Sequence, residues 1–292
     1  MGANADICNM VKLLAYTHVW IAFAATGAAF ATAITSGYPI GDCNAFASGG
    51  LLGIGVATGC MYTLQRRIKL LKNPLGIPHE RRNFLMKWGK TMAWGWGLIA
   101  VVWTLTFASE WRSFLTVVLD HTAILGSVII LALGYASNPI SGGRGWRDIP
   151  RLKWPVIALA WGVVTGWLPL QFLPSANALD GWTATKSIGL QTLFVAGITL
   201  PFDVRDLHVD PMQLRTLPQQ TSVRFTIALA LILVLLSMGC FWALDSSPAR
   251  AIAGAIAFAG IVLVSSIRKE WIFSLLLDGC LILQGVLAFL LL

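Results

Sequence analysis

Long apolar segments dominate this sequence, and they determine what the chain can fold into. About 20 consecutive apolar residues make an α-helix long enough to cross a bilayer, and a helix satisfies its own backbone polar groups, as lipid requires. The sequence therefore predicts an all-α, polytopic membrane helical bundle with nine transmembrane helices, forming a single domain over residues 1–292. The nine segments lie at about 12–35, 45–64, 88–108, 113–136, 154–173, 184–202, 222–244, 249–267 and 271–291.

The composition excludes two other classes of protein. Hydrophobic residues make up 57% of the chain and charged residues 12%, whereas a soluble domain carries about 25% charged residues. A water-soluble enzyme is therefore excluded, and so is a disordered chain, which needs low hydrophobicity and high charge. The formal net charge of +8 would suit a nucleic-acid partner, but its distribution indicates membrane topology instead. We expect no nucleic acid and infer no protein partner.

Basic residues are concentrated on one side of the predicted bundle. With nine spans, every Lys and Arg except Arg112, Lys186 and Arg250 falls on the side of the N-terminus. Because cytoplasmic loops are enriched in Lys and Arg, we expect a cytoplasmic N-terminus in a bacterial-type inner or plasma membrane. The three long polar loops, which follow segments two, four and six, lie on that side as well. Chemistry that uses charged groups is therefore expected at the cytoplasmic end of the bundle.

An acidic cluster directly follows the sixth apolar segment. Asp203, Asp206 and Asp210 are spaced i, i+3 and i+7, so on a continued helix they share one face. Three carboxylates on one face repel each other unless a cation lies among them, and Mg²⁺ prefers oxygen ligands and bridges carboxylates to phosphates. The alternative is a solvated acidic loop. Acidic residues at a membrane edge are costly, which favours a functional site.

A basic cluster precedes the fifth apolar segment. Arg147, Arg151 and Lys153 lie where a helix is predicted to begin, and helix N-termini attract anions through their free N–H groups. Arg offers phosphate a bidentate fork and Lys offers a point charge. A diphosphate is a natural ligand for such a cluster, although ordinary positive flanking of a membrane span explains the same residues.

These two stretches resemble motifs of the UbiA-type intramembrane prenyltransferases, and the nine-span topology is similar to that family's. Phe-Asp-Val-Arg-Asp-Leu-His-Val-Asp at 202–210 is similar to the second aspartate-rich motif of the family. Asp206 and Asp210 match its DxxxD pair, and Asp203 stands in place of an upstream Asn. Ile-Pro-x-x-Lys at 149–153 is similar to the family's Tyr-Pro-x-x-Lys, in which Lys153 matches the lysine that contacts the diphosphate.

The first aspartate-rich motif of the family is replaced in this chain. Tyr62 stands where the motif has Asn, and Thr63 and Arg66 stand where it has two Asp residues. The chain is most similar here to a divergent branch of the family with Tyr-Asn-x-x-Arg. One of the two acidic clusters that hold Mg²⁺ has thus become basic. Either Arg66 and Arg67 replace one Mg²⁺ and contact the diphosphate directly, or the site binds a different anionic lipid, or catalysis is lost while the lipid pocket remains.

The resemblance implies a prenyltransferase in contact with membrane lipid, which moves an isoprenyl chain from an isoprenyl diphosphate to an apolar acceptor. Mg²⁺ on Asp206 and Asp210, supported by Asp203, would take charge from the leaving group. The alternative is a non-catalytic isoprenoid-binding, lipid-binding or transport protein that keeps the fold. The expected catalytic residues are the three acids and Lys153. The expected contacts of the diphosphate are Tyr62, Arg66, Arg147, Arg151, Lys153 and Arg205.

Three further polar residues fall inside predicted spans. Asp120 and His121 lie in segment four and Asp278 lies in segment nine. A charged acid at the bilayer centre costs at least about 2.5 kcal/mol, so each acid needs a partner. We expect these residues to contact the acceptor or to form a polar network near the site, or, for His121, to be hydrogen-bonded between helices. Adjacent helical residues do not face each other, so Asp120 and His121 are not expected to form one catalytic pair.

Overall fold

The structure of the protein is a computed structural model in which helices are the only regular structure of the described residues. The predicted all-α class is thereby confirmed. The described residues are 10, 12–38, 44–72, 74, 77–136, 149, 151–173, 180–208, 210, 212–265 and 270–291. The helices are α1 (Val19–Thr35), α2 (Ala45–Lys72), α3 (His79–Thr106), α4 (Trp111–Asp120), α5 (Thr122–Ala136), α6 (Lys153–Gly162), α7 (Gly181–Arg205), α8 (Leu217–Gln220), α9 (Val223–Asp245), α10 (Pro248–Val264), α11 (Glu270–Phe273) and α12 (Gly279–Leu291).

Two of these helices continue or begin with unusual turns. A π-helical turn at Val163–Trp167 and a 3₁₀ turn at Leu168–Phe172 extend α6, and a second π-helical turn at Ser274–Asp278 joins α11 to α12. Such π-turns insert an extra residue into a helix and are frequent at functional sites. Both of them contribute residues to the cavity that is described below.

Five helices among the described residues are long and apolar enough to cross a membrane. They are α2, α6 as far as Phe172, α7 as far as His208, α9, and the helix Trp271–Leu291. The helix α3 and the segment Ala108–Asp120, which bend by 70° at their junction, pass the same test as one pair. The helices α1, α5 and α10 are also apolar but shorter. Every predicted apolar segment contains a helix, and the chain has the composition of a multi-pass membrane protein.

The fourth apolar segment is not one continuous helix, which corrects the prediction for 113–136. The helix α4 ends at Asp120 and α5 begins at Thr122. The hydroxyl of Thr122 donates to the carbonyls of Val118 and Leu119, each at 2.9 Å, and polar side chains that bond to nearby backbone compete with helix continuation. Asp120 is exposed at this break.

The helix α7 lies against α6 and α9, at the centre of the bundle. Its first turn is capped by Asp180, whose side chain accepts a hydrogen bond from the backbone N–H of Thr183 at 2.8 Å. Hydrogen bonds from Thr183 lower the pKa of this exposed carboxyl. Further along α7, Phe194 and Leu200 are fully buried, and Asp203 is only 2% exposed. The central position of α7 is thus what carries an acidic residue into the interior.

The helices α1 and α12 pack directly on each other through two glycines. A Cβ atom at Gly285 would lie 2.5 Å from the carbonyl oxygen of Gly27, and a Cβ atom at Gly27 would lie 2.7 Å from Cα of Ile282. Both obstacles are backbone atoms, which do not move aside without separating the helices. Small residues that allow such close approach are typical of membrane helix interfaces.

We expect Gly285→Ala to destabilise the bundle by about 1–3 kcal/mol, the usual cost of overpacking, because the added methyl group would push α1 away from α12. The measurement is thermal unfolding of the purified protein in detergent. Gly239→Ala on α9 is the matched control, since a Cβ atom there meets nothing within 4 Å. An equal loss of stability in the two variants would contradict the prediction.

A buried ionic cluster joins four helices at the end of the bundle opposite the acidic motif. Arg250 is 1% exposed; it donates through Nη1 to Oδ2 of Asp245 at 2.9 Å and through Nη2 to the hydroxyl of Thr32. Nζ of Lys186 lies 3.1 Å from Oδ1 of the same aspartate. The cluster therefore ties α1, α7, α9 and α10 together around one carboxylate.

We expect Asp245→Asn to lower the free energy of unfolding by about 3–5 kcal/mol, since removing one partner of a buried pair leaves an uncompensated charge. Thermal unfolding in detergent measures the effect. Asp180→Asn serves as the control, because that carboxyl is exposed and Asn caps a helix equally well. Unchanged stability of Asp245→Asn would show that the cluster does not hold the helices together.

Candidate functional site

The three predicted acids come together at the end of α7. Asp203 lies in the last turns of α7, Asp206 begins the 3₁₀ turn Asp206–His208, and the backbone N–H of Asp210 donates to the carbonyl of Asp206 at 2.8 Å. This backbone bond keeps the chain coiled past the end of the helix. The acids at i, i+3 and i+7 consequently face the same neighbour on α6.

That neighbour is Lys153, the first residue of α6. Its ammonium nitrogen lies 2.6 Å from Oδ2 of Asp210, 2.8 Å from Oδ1 of Asp203 and 3.8 Å from Oδ2 of Asp206. Lys153 is only 7% exposed. A buried ammonium needs partners for its three N–H donors, and here three carboxylates surround it.

Arg205 provides a second cation to this cluster. Its Nε donates to Oδ1 of Asp206 at 2.7 Å, and its guanidinium lies 4.9 Å from the ring centroid of Phe202 and 5.6 Å from that of Phe273. Arginine stacks on aromatic faces while its N–H groups bond to a carboxylate. Arg205 thereby joins the acidic cluster to α11.

The cluster lies at one end of a cavity of about 480 Å³. The cavity follows α2 from Arg66 to Ile54, about 18 Å at the rise of an α-helix. Toward Ile54 its walls are apolar, with Val164 and Leu168 from the extension of α6 and Leu125 and Ile129 from α5. The charged described residues that line it are Arg66, Lys69, Arg81, Lys153, Arg205, Asp203, Asp206, Asp210 and Asp278.

Tyr62 and His18 also line the cavity. The Tyr62 hydroxyl accepts a hydrogen bond from Nε1 of Trp161 at 3.3 Å. His18 is 1% exposed, and its Nδ1 lies 2.9 Å from the Thr63 hydroxyl, while its Nε2 has no hydrogen-bond partner among the described residues. The sequence motifs did not single out His18, although a histidine within an apolar segment is itself a signal, because both ring nitrogens need partners when buried.

The other predicted residues are distributed as follows. Asp278 ends the π-turn before α12 and lines the cavity, as Arg66 does. Arg151 is exposed and donates to the side chain of Gln220 at 2.7 Å, away from the cavity lining. His121 packs edge-on against Trp167 with ring centroids 4.9 Å apart, outside that lining, as is Asp120. Arg147 lies outside the described residues.

The acids do not form a site that holds a metal ion by itself. The described residues contain no group of three or more His, Cys, Asp or Glu placed for a metal ion, and the ammonium of Lys153 already lies among the three carboxylates. One buried oxygen, Oδ2 of Asp203, has no hydrogen-bond partner in the described part of the chain. The expected Mg²⁺ thus does not fit this arrangement, and its requirement stays a prediction.

Comparison with known proteins assigns no family to this chain. No protein-family model matches the chain, and no curated protein matches it significantly. The fold and the cavity define the chain as an all-helical protein with several apolar helices able to cross a membrane. The family resemblance therefore depends on the motifs at 149–153 and 202–210.

We expect Lys153→Met to destabilise the protein by about 3–5 kcal/mol, because it leaves the buried carboxylates of Asp203 and Asp210 and the partly buried carboxylate of Asp206 without their shared cation. Thermal unfolding in detergent measures the loss. Adding Asp203→Asn to Lys153→Met removes one of the repelling charges and should restore part of the stability. If the double variant were less stable than Lys153→Met, repulsion among the acids would not be the cause.

Proposed function

We propose that this protein is a UbiA-like membrane prenyltransferase that binds an isoprenyl diphosphate and moves its isoprenyl chain to an apolar acceptor. The observation that supports the proposal is the cavity, which extends about 18 Å along α2 from a strongly charged end at Arg66 to an apolar end at Ile54. An isoprenyl diphosphate has the same division into a charged head and an apolar tail. The proposal includes nine membrane crossings and an N-terminus in the cytoplasm.

The charged end suits an anionic head group. Five basic and four acidic side chains line the described part of the cavity, so the acids compensate most but not all of the positive charge. Arg66 and Arg81 offer planar forks that match phosphate oxygens, and Lys69 offers a point charge. In the proposal these residues bind the diphosphate, while the acids hold Lys153 and Arg205 in place.

The proposed reaction breaks the bond between C1 of the isoprenyl chain and the diphosphate oxygen. The electron pair leaves with the diphosphate, whose charge the basic residues stabilise. A nucleophilic atom of the acceptor forms the new bond to C1, and its proton passes to the departing diphosphate. The rings of Tyr62, Trp154 and Trp161 line the same cavity, where their faces would stabilise the allylic cation and exclude water.

A second candidate is a non-catalytic isoprenoid-binding, lipid-binding or transport protein. The observation that favours it is the pairing of all three acids with Lys153, together with Tyr62, Thr63 and Arg66 in place of the first acidic motif. A cavity of this kind can bind an amphiphile without activating its leaving group. The two candidates share the ligand and differ in turnover.

The first test is the binding of geranylgeranyl diphosphate to the purified protein. Arg66→Gln should weaken binding by about tenfold or more, since a hydrogen bond to a charged group contributes about 1.5–3 kcal/mol. Arg67→Gln is the matched control, because Arg67 is the adjacent arginine and lies outside the cavity lining. Failure of geranylgeranyl diphosphate and of shorter and longer isoprenyl diphosphates to bind would exclude the prenyltransferase and any carrier of the same ligand.

The second test separates the two candidates. Radiolabelled geranylgeranyl diphosphate is incubated with the protein and a total membrane lipid extract as the source of acceptor, and released diphosphate is measured. Diphosphate release by the wild-type protein that is lost in Ala132→Trp would support the enzyme. Residue 132 lines the cavity on α5, so a tryptophan there would fill part of the cavity. Ala123→Trp, on the exposed side of the same helix, is the control. Binding without release would support the lipid-binding candidate.

A further inference from the structure

The position of Lys153 conflicts with the usual role of an acidic cluster beside a diphosphate. The ammonium nitrogen is within 2.8 Å of two carboxylate oxygens and 3.8 Å from a third. The remaining oxygen of Asp206 accepts the Arg205 Nε–H. The positions that a divalent cation would occupy among these carboxylates are therefore taken by two side-chain cations.

A divalent ion entering this cluster would meet both cations at short range. Like charges about 4 Å apart repel strongly in a partly buried setting, where the effective dielectric constant is well below that of water. Mg²⁺ also keeps several waters and binds through one or two carboxylates, but each acid of this cluster already faces Lys153. Oδ2 of Asp203 has no hydrogen-bond partner among the described residues, but an ion bound there would lie beside the Lys153 ammonium, which is 2.8 Å from Oδ1 of the same carboxylate.

The part of the cavity lining that α2 contributes is basic where the similar family motif is acidic. Thr63 and Arg66 stand on α2 where the similar family motif carries acids, and Lys69 and Arg81 line the same end of the cavity. This wall supplies positive charge directly, as a bound metal would. Both walls thus favour one arrangement, in which side chains provide all of the cations.

We propose that Lys153 is the resident cation of the acidic motif, and that Arg66, Lys69 and Arg81 hold a phosphate-bearing amphiphile without a divalent metal. The identity of the amphiphile as an isoprenyl diphosphate rests on the proposed function. The role of Lys153 does not, because it follows from the three carboxylates around the ammonium. Lys153 acts here as a positioning and charge-balancing residue.

The direct test compares the affinity of wild-type protein for geranylgeranyl diphosphate in excess Mg²⁺ and in excess EDTA. The affinities should agree within about twofold, less than the 1.4 kcal/mol that a tenfold change represents. A tenfold or greater loss in EDTA would overturn the proposal. Inorganic pyrophosphate is measured in parallel as a probe without a tail, and it should bind at least about tenfold more weakly than the amphiphile.

A second test does not depend on the prenyl ligand. Binding of Mn²⁺ alone, followed by electron paramagnetic resonance, should be absent in wild type and present in Lys153→Met, whose three carboxylates are released. Mn²⁺ should also raise the unfolding temperature of Lys153→Met and leave that of wild type unchanged. Lys186→Met is the matched control, because it removes a lysine from Asp245 at the far end of the bundle and should gain no Mn²⁺ site.

The outcomes distinguish this inference from the proposed function. Mn²⁺ binding by wild type would overturn the inference even if geranylgeranyl diphosphate bound. Mn²⁺ binding confined to Lys153→Met would support it even if no isoprenyl diphosphate bound, in which case only the proposed function would fail. If Lys153→Met does not fold, wild-type Mn²⁺ binding and the comparison in EDTA decide the question.

Discussion

The ion cluster around Lys153 is the interaction on which the candidate site depends. One ammonium at the start of α6 is shared by three carboxylates at the end of α7, so the two central helices are fixed relative to each other at the charged end of the cavity. Taking these charges out of water is costly, and only their mutual pairing compensates for it. The same pairing sets the shape of the charged end of the cavity, because Arg205 is held by Asp206 and reaches the aromatic rings of α7 and α11.

The sequence predicted the helical architecture well because lipid imposes simple rules on it. Apolar runs near 20 residues must become helices in a bilayer, and every such run contains one here. The break between α4 and α5 was missed, because hydropathy reports how apolar a segment is and not where its backbone hydrogen bonds change. The π-turns at 163–167 and 274–278 were missed for the same reason.

The sequence predicted which residues belong to the candidate site but not which of them form ion pairs with each other. Spacing placed the three acids on one face, and motif position brought Lys153 and Arg66 to the same end of the bundle. Spacing cannot say which cation lies among carboxylates, since that depends on the crossing of α6 and α7. A histidine inside an apolar segment indicates a hydrogen bond between helices, as His18 makes with Thr63, but spacing does not show that His18 lines the cavity.

The glycine contact between α1 and α12 has a consequence for how the molecule is made. Synthesis proceeds from the N-terminus, so α1 is inserted long before α12 leaves the ribosome. The helices α6, α7, α9 and α10 can pack while the glycine face of α1 still lacks its partner. The helix α12 then packs backbone against backbone on α1, where a Cβ atom at Gly27 or Gly285 would meet backbone atoms. The packing of α1 is therefore completed by a helix that is translated after all the other described helices.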